Sequence, residues 1–193
     1  MTKFLMTELV DIAEVATARL GGTPAAGNPN GFTDKEVGKF VKLTAESRYA
    51  LCAAGDPIEG RISSVETAPM DGISVGGVMK EGRFQVTFDG LEATAGTGVV
   101  ALGDYVVCGT VVAEGTALSA PAKVVKATNQ PNTAIVSTVG GADTAAAIKT
   151  AIDAALVKVA DAAANGRFPW RVVSLGSAGT GAVGTTGVIE FLS

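Results

Sequence analysis

One stretch, Cys52–Gly77 (CAAGDPIEGRISSVETAPMDGISVGG), constrains the fold of this chain more than any other. It reads as strand, turn, strand, turn. Gly55–Asp56–Pro57 joins a residue that tolerates positive φ, an acid that bonds turn N–H groups, and a ring that presets φ. Pro69–Met70–Asp71–Gly72 turns the chain again. Between them Ile58–Thr67 reads as a strand, with Ile58, Ile62 and Val65 expected to face inward. Gly60 inside that strand marks a bulge or a close backbone approach. A segment broken this often by Gly and Pro does not continue as a long helix.

The same grammar extends on both sides. Val37–Leu43 (VGKFVKL) alternates loosely, with Phe40 and Val41 adjacent, and Arg48–Ala53 (RYALCA) reads as a further strand. Ile73–Met79 and Arg83–Phe88 flank Lys80–Glu81–Gly82, which reads as a short hairpin connection. RFQVTF puts Phe84, Val86 and Phe88 on one face and Arg83, Gln85 and Thr87 on the other. Residues 89–98 read as a polar loop. Val99–Val100, Tyr105–Val112 and Ala122–Thr128 complete the β-rich region. ALGDYVVCGTVV echoes AAGDPIEGRISSV: small residues, Gly-Asp, an apolar strand, an interrupting Gly. The spacing from Asp to the later Gly differs (Asp56 to Gly60, Asp104 to Gly109), so this is a shared turn-then-strand device and not an internal repeat. Gly55, Asp56, Pro57, Gly60, Gly103 and Asp104 are therefore expected to shape strand corners. Short strands separated by glycine turns point to a small barrel or sandwich.

The two ends read differently. In residues 1–22, Leu5, Leu9, Ile12, Ala16 and Leu20 make one apolar stripe at helical spacing. The alternative is an arm that orders on a partner. Residues 23–31 (TPAAGNPNG) read as a linker. Near the C-terminus, Ile148, Ile152, Leu156, Val159 and Ala163 form a helical stripe capped by Asp143 or Thr144. That helix is expected to lie close against a sheet, followed by strands Arg171–Leu175 and Gly187–Leu192. The expected fold is mainly β (α+β). It has a small antiparallel β-barrel or sandwich core over residues 32–128, an N-terminal helix or arm with its linker over 1–31, and a β-α-β-β appendage over 129–193.

Composition bears on function. The chain contains no His, which removes the commonest general base and the commonest metal ligand. No loop gathers enough acids for a Ca²⁺ site; Asp56, Glu59, Asp71, Glu81 and Asp89 read as solvated turn residues. Ser174 and Ser177 have no His to activate them. Catalytic, metal and cofactor sites are not expected, and the chain is not expected to be an enzyme. A net charge of −4 without a basic cluster argues against nucleic acid. No apolar run approaches the roughly 20 residues of a membrane helix, and Glu8, Asp11 and Glu14 break any signal-peptide core. Hydrophobic residues make up 47% of the chain but aromatics only 5%, so the apolar content is largely Ala and Val. Cys52 and Cys108 read as buried free thiols acting as small hydrophobes, with a disulfide or a reactive thiol as the alternative.

Gly179–Gly184 spells G-x-G-x-x-G, but no helix pattern follows it, so a loop or subunit-contact arm is expected in place of a dinucleotide site. Trp170, the sole Trp, reads as core closure, with a partner-contact hot spot as the alternative. Leu5, Leu9 and Ile12 are the other candidate partner contacts.

The run FTDKEVGKFVKLTAESRYALCAAGDPIEGRISSVE resembles the capsid cement or head decoration proteins of tailed bacteriophages. Their phrasing is an opening segment ending in G-K-x-V-K-L, a strand, A-A-G-D-x-I-x-G, and a strand ending in a V-E-like pair. GISVGGVMKEGRFQVTFDG and ALGDYVVCGTVV continue it, so the resemblance covers roughly residues 32–115. It implies a structural virion protein, assembled in the host cytoplasm, on the outer surface of the phage head. There it would bridge major capsid protein subunits and stabilise the shell, as a homotrimer. The alternative is a β-rich host-glycan-binding or fibre-base module, which needs exposed Trp or Tyr to stack on sugars.

Overall fold

The computed structural model describes residues 15–22, 31–44, 48–68, 73–128, 144–150, 152–153, 156 and 169–191. The fold is mainly β and has two closed or nearly closed sheets. Five strands form a barrel: β1 (Val15–Leu20), β2 (Phe40–Leu43), β3 (Tyr49–Leu51), β4 (Gly60–Ala68) and β5 (Ile73–Met79). Their order is β1-β3-β2-β4-β5, with β5 returning to β1. Every neighbour is antiparallel except β1 and β3, which meet at Leu20 and Tyr49.

The second sheet is built around β6 (Arg83–Leu91). With β9 (Val106–Cys108), β10 (Lys123–Lys126), β11 (Trp170–Ser174) and β13 (Thr186–Phe191) it runs β11-β13-β6-β10-β9. The short β7 (Thr94–Ala95) pairs with the end of β6, and β8 (Val99–Val100) pairs with β12 (Gly181–Ala182). The outer strands meet again through a bridge between Tyr105 and Arg171, so this sheet also folds back on itself. Closure of this kind leaves few unpaired strand edges.

Two cores result. Leu20, Phe32, Val41, Tyr49, Ile62 and Val78 belong to the first barrel. Phe84, Val86 and Phe88 from β6 meet Val106, Cys108, Val124, Trp170, Val172 and Ile189 in the second, and Phe40, Cys52 and Ile58 join them from the barrel side. This explains why adjacent residues Phe40 and Val41 are both buried. Successive side chains point to opposite faces of a strand, and β2 lies between the two cores. Burying each such side chain contributes about 1.5–3 kcal/mol relative to exposure. Gly60, at the start of β4, is where backbones approach closely: a Cβ there would lie 2.5 Å from Val78 Cγ1 and 2.9 Å from the Met79 carbonyl oxygen.

Several expectations change. Residues 15–20 are a barrel strand, not the end of a helix; Thr17 and Arg19 face out while Leu20 is buried. Leu5, Leu9 and Ile12 lie outside the described residues. Lys80–Gly82 is not a hairpin connection, because β5 pairs with β1 and β4 whereas β6 pairs with β13, β10 and β7. The link carries the chain from one sheet to the other. The strand expected over Tyr105–Val112 is confined to Val106–Cys108. β11 and β13 are integral to the β6 sheet, so the C-terminal strands share a core with residues 32–128.

The helical residues 145–150, 152–153 and 156 begin at Thr144, whose hydroxyl accepts from the Ala147 N–H (3.3 Å). Asp143, Val159 and Ala163 lie outside the described residues. The stripe does not lie against a sheet as expected: Ile148, Ile152 and Leu156 are 36, 50 and 59% exposed.

Candidate functional site

The corners at Gly55–Asp56 and Gly103–Asp104 are built identically. Asp56 Oδ2 accepts from the Ala53 N–H (2.6 Å), and the Asp56 N–H donates back to the Ala53 carbonyl (3.1 Å). Asp104 Oδ2 accepts from the Ala101 N–H (2.8 Å), and its own N–H donates to the Ala101 carbonyl (3.2 Å). Gly55 and Gly103 take φ values of 83° and 84°, the left-handed region that costs other residues free energy. Each Asp also holds a lysine: Lys42 at 2.5 Å from Asp56, Lys126 at 3.1 Å from Asp104. The hydrogen bond from Lys42 to Asp56 raises the Lys42 pKa above its ordinary value.

Both corners then dock on a strand in the same way. The Gly55 N–H donates to the Cys108 carbonyl (2.8 Å), and the Cys108 N–H donates to the Asp56 carbonyl (3.0 Å). The Gly103 N–H donates to the Val172 carbonyl (2.9 Å), and the Val172 N–H donates to the Asp104 carbonyl (2.9 Å). The first corner joins the barrel to β9; the second joins the β9 edge to β11. Pro57 supplies its carbonyl to the Cys52 thiol (3.7 Å). These carboxylates therefore hold the fold together. Replacing either with Ala removes a charge-assisted hydrogen bond to a turn N–H and costs about 1–3 kcal/mol. Asp104→Ala is expected to cost more, because Asp104 is the more buried acid. Urea unfolding of both variants checks the order; equal or reversed costs would count against the assignment.

Two buried acids escaped the sequence reading. Glu36 is fully buried. It caps a 3-10 helix (Asp34–Glu36) reciprocally with Thr33: Oε2 accepts from the Thr33 N–H (2.7 Å) and hydroxyl (2.9 Å). Its Oε1 accepts from the Gly115 N–H (2.6 Å) and from Lys39 Nζ (3.4 Å). Lys39, also buried, donates to the Ala113 carbonyl (2.8 Å). Burial alone would raise the Glu36 pKa, but the Thr33 and Gly115 donors and the Lys39 charge bring it below its ordinary value. The spacing Thr33-x-x-Glu36 is a capping-box signature and was available in the sequence.

Asp89 is the second, and it corrects the expectation of a solvated turn residue. It is buried on β6 and accepts from the Thr110 N–H (3.0 Å), the Thr110 hydroxyl and Lys123 Nζ (3.1 Å). Burial pushes its pKa up, and the Thr110 and Lys123 donors outweigh this, so the net shift is downward. The dipeptide Asp89–Gly90 carries an ordinary turn signal, so nothing local announced its burial.

Trp170 is fully buried, which excludes the partner-contact alternative and leaves core closure. Its ring stacks on Phe84 at 4.5 Å and meets Phe191 edge-on at 5.3 Å. Its Nε1–H donates to the Ile58 carbonyl (2.9 Å). The G-x-G-x-x-G run opens no helix: Gly181–Ala182 is strand β12, flanked by turns.

A cavity of about 190 Å³ lies between β2–β3 and the 110–123 segment. Cys52 and Cys108 both line it as free thiols. Its two lysines are already engaged, Lys39 with Glu36 and Lys123 with Asp89. Among the described residues, no group of three or more His, Cys, Asp or Glu is placed to hold a metal ion, and no helix is long and apolar enough to cross a membrane. No protein-family model, curated protein or solved structure matches this chain.

Proposed function

We propose that this chain is a capsid cement or head decoration protein. On this reading it binds the outer surface of a phage head, bridges major capsid protein subunits and self-associates as a homotrimer. The observation that carries the reading is the double use of the corner that the resemblance rests on. AAGDP and ALGDY form one device, and the carboxylates in both are spent on backbone N–H groups and lysines within the chain. A motif used this way serves shape. The exposed stripe Ile148, Ile152 and Leu156 adds an apolar surface of the kind that contacts between subunits cover.

The glycan-binding alternative has less support. Tyr49 and Trp170 are buried and Tyr105 is half-buried, which leaves no exposed Trp or Tyr among the described residues to stack on a sugar.

Purified protein is expected to sediment at three times the monomer mass and to co-sediment with expanded capsids of its own phage. A monomer at micromolar concentration would overturn the trimer. Failure to bind such capsids, together with its absence from the virion, would overturn the cement role.

A further inference from the structure

Cys52 and Cys108 sit on opposite sides of the junction between the two sheets. Cys52 follows β3 of the barrel, and Cys108 ends β9 of the second sheet. The main chain already ties them together: Cys108 exchanges two hydrogen bonds with Gly55 and Asp56, three and four residues beyond Cys52. Their side chains belong to one hydrophobic core cluster, and both are almost fully buried. They are not sealed in, since both line the same cavity, walled opposite by Val111, Leu118 and Pro121. Two buried thiols that share one core cluster and one cavity, reachable by a small molecule and set on different sheets, are placed to be joined.

We infer that Cys52 and Cys108 are a redox modification site that closes as an intramolecular disulfide and staples the barrel to the second sheet. The oxidant is a small linear disulfide that enters the cavity. One cysteine loses its proton, and its thiolate attacks a sulfur of the reagent, displacing one reagent thiolate and leaving a mixed disulfide. The other cysteine, deprotonated in turn, attacks the protein sulfur of that mixed disulfide and expels the second reagent thiolate. Two cysteine thiols give up two electrons and two protons, and the reagent takes them up as two thiols. The neighbouring Cys108 thiol and burial hold the Cys52 thiol protonated, so closure is slow at neutral pH.

The test uses the full-length folded chain, exposed to cystamine at pH 8 and then alkylated under denaturing conditions. The expected product is a monomer lighter by two hydrogen atoms, with no cystamine adduct and both thiols lost. A non-reduced digest should join the Cys52 and Cys108 peptides. Closing so long a loop is expected to raise the melting temperature by about 5–10 °C, reversed by reductant. In Cys108→Ala the cystamine adduct should persist on Cys52. Should that variant fail to fold, the intact mass of the unmodified sequence decides alone. Two retained thiols, a lasting adduct on the wild-type chain, a disulfide-linked dimer, or closure without a gain in melting temperature would each overturn the inference.

Discussion

Trp170→Ala is expected to lower the unfolding free energy by about 3–5 kcal/mol, the range for removing a large buried aromatic ring. The estimate belongs at the upper end, because the ring does three things at once. It fills the second core, it stacks on Phe84 with Phe191 against its edge, and its indole N–H satisfies the Ile58 carbonyl. Ile58 belongs to the segment leading into barrel strand β4, whereas Trp170 opens β11. The residue therefore couples the two sheets as well as filling space. A domain of this size typically holds about 5–15 kcal/mol in total, so the variant should be marginal. Trp170→Phe keeps most of the packing and loses the hydrogen bond, and should cost about half as much. Denaturant unfolding followed by far-UV circular dichroism is the measurement, since the substitution removes the fluorescent ring. A loss under 1 kcal/mol for Trp170→Ala would show that the sheets do not depend on this contact.

Glu36→Ala is expected to cost about 3–5 kcal/mol, the range for removing one partner of a buried ion pair. It leaves Lys39 buried with only the Ala113 carbonyl, and it orphans the Thr33 and Gly115 N–H groups. Replacing Lys39 with Met in the same chain should recover part of the loss but not all of it, because those backbone donors stay unsatisfied. Full recovery would show that charge burial alone set the cost. The same acid carries a pH signature. Its folded pKa lies below the ordinary 4.5, so its stabilisation is complete above that value and is lost as pH falls through the folded pKa. Asp89, lowered from 3.8, acts in the same direction. Melting temperature should therefore fall steeply below about pH 4, and less steeply in Glu36→Gln. A flat profile from pH 5 to pH 2 would contradict both assignments.

Residue periodicity identified faces well and partners poorly. The alternation in β6 located Phe84, Val86 and Phe88 correctly, and the Gly-Asp corners were legible because Gly and Asp have specific local uses in turns. The stripe Leu5, Leu9, Ile12, Ala16 and Leu20 reads as a helix or an arm, and over residues 15–20 neither holds: alanine fits both periods, and pairing with β5 makes this segment a strand. The Lys80–Gly82 hairpin failed for a related reason: proximity in sequence favours pairing, but both strands find their partners elsewhere. Both buried acids escaped the reading: Glu36 although its capping box stood in the sequence, Asp89 because its partners Thr110 and Lys123 are distant in the chain.

The sequence alone determined that this chain is mainly β, where it turns, and that Cys52–Gly77 contains a corner used a second time around Gly103–Asp104. These follow from φ preferences and side-chain alternation, which act over a few residues. Only the tertiary structure decided what each corner fastens. The first docks on Cys108 and the second on Val172, so one local device joins the barrel to the second sheet and then closes that sheet. Burial of Glu36, Asp89 and Trp170 was decided there too, because each depends on groups that chain folding brings from far along the sequence.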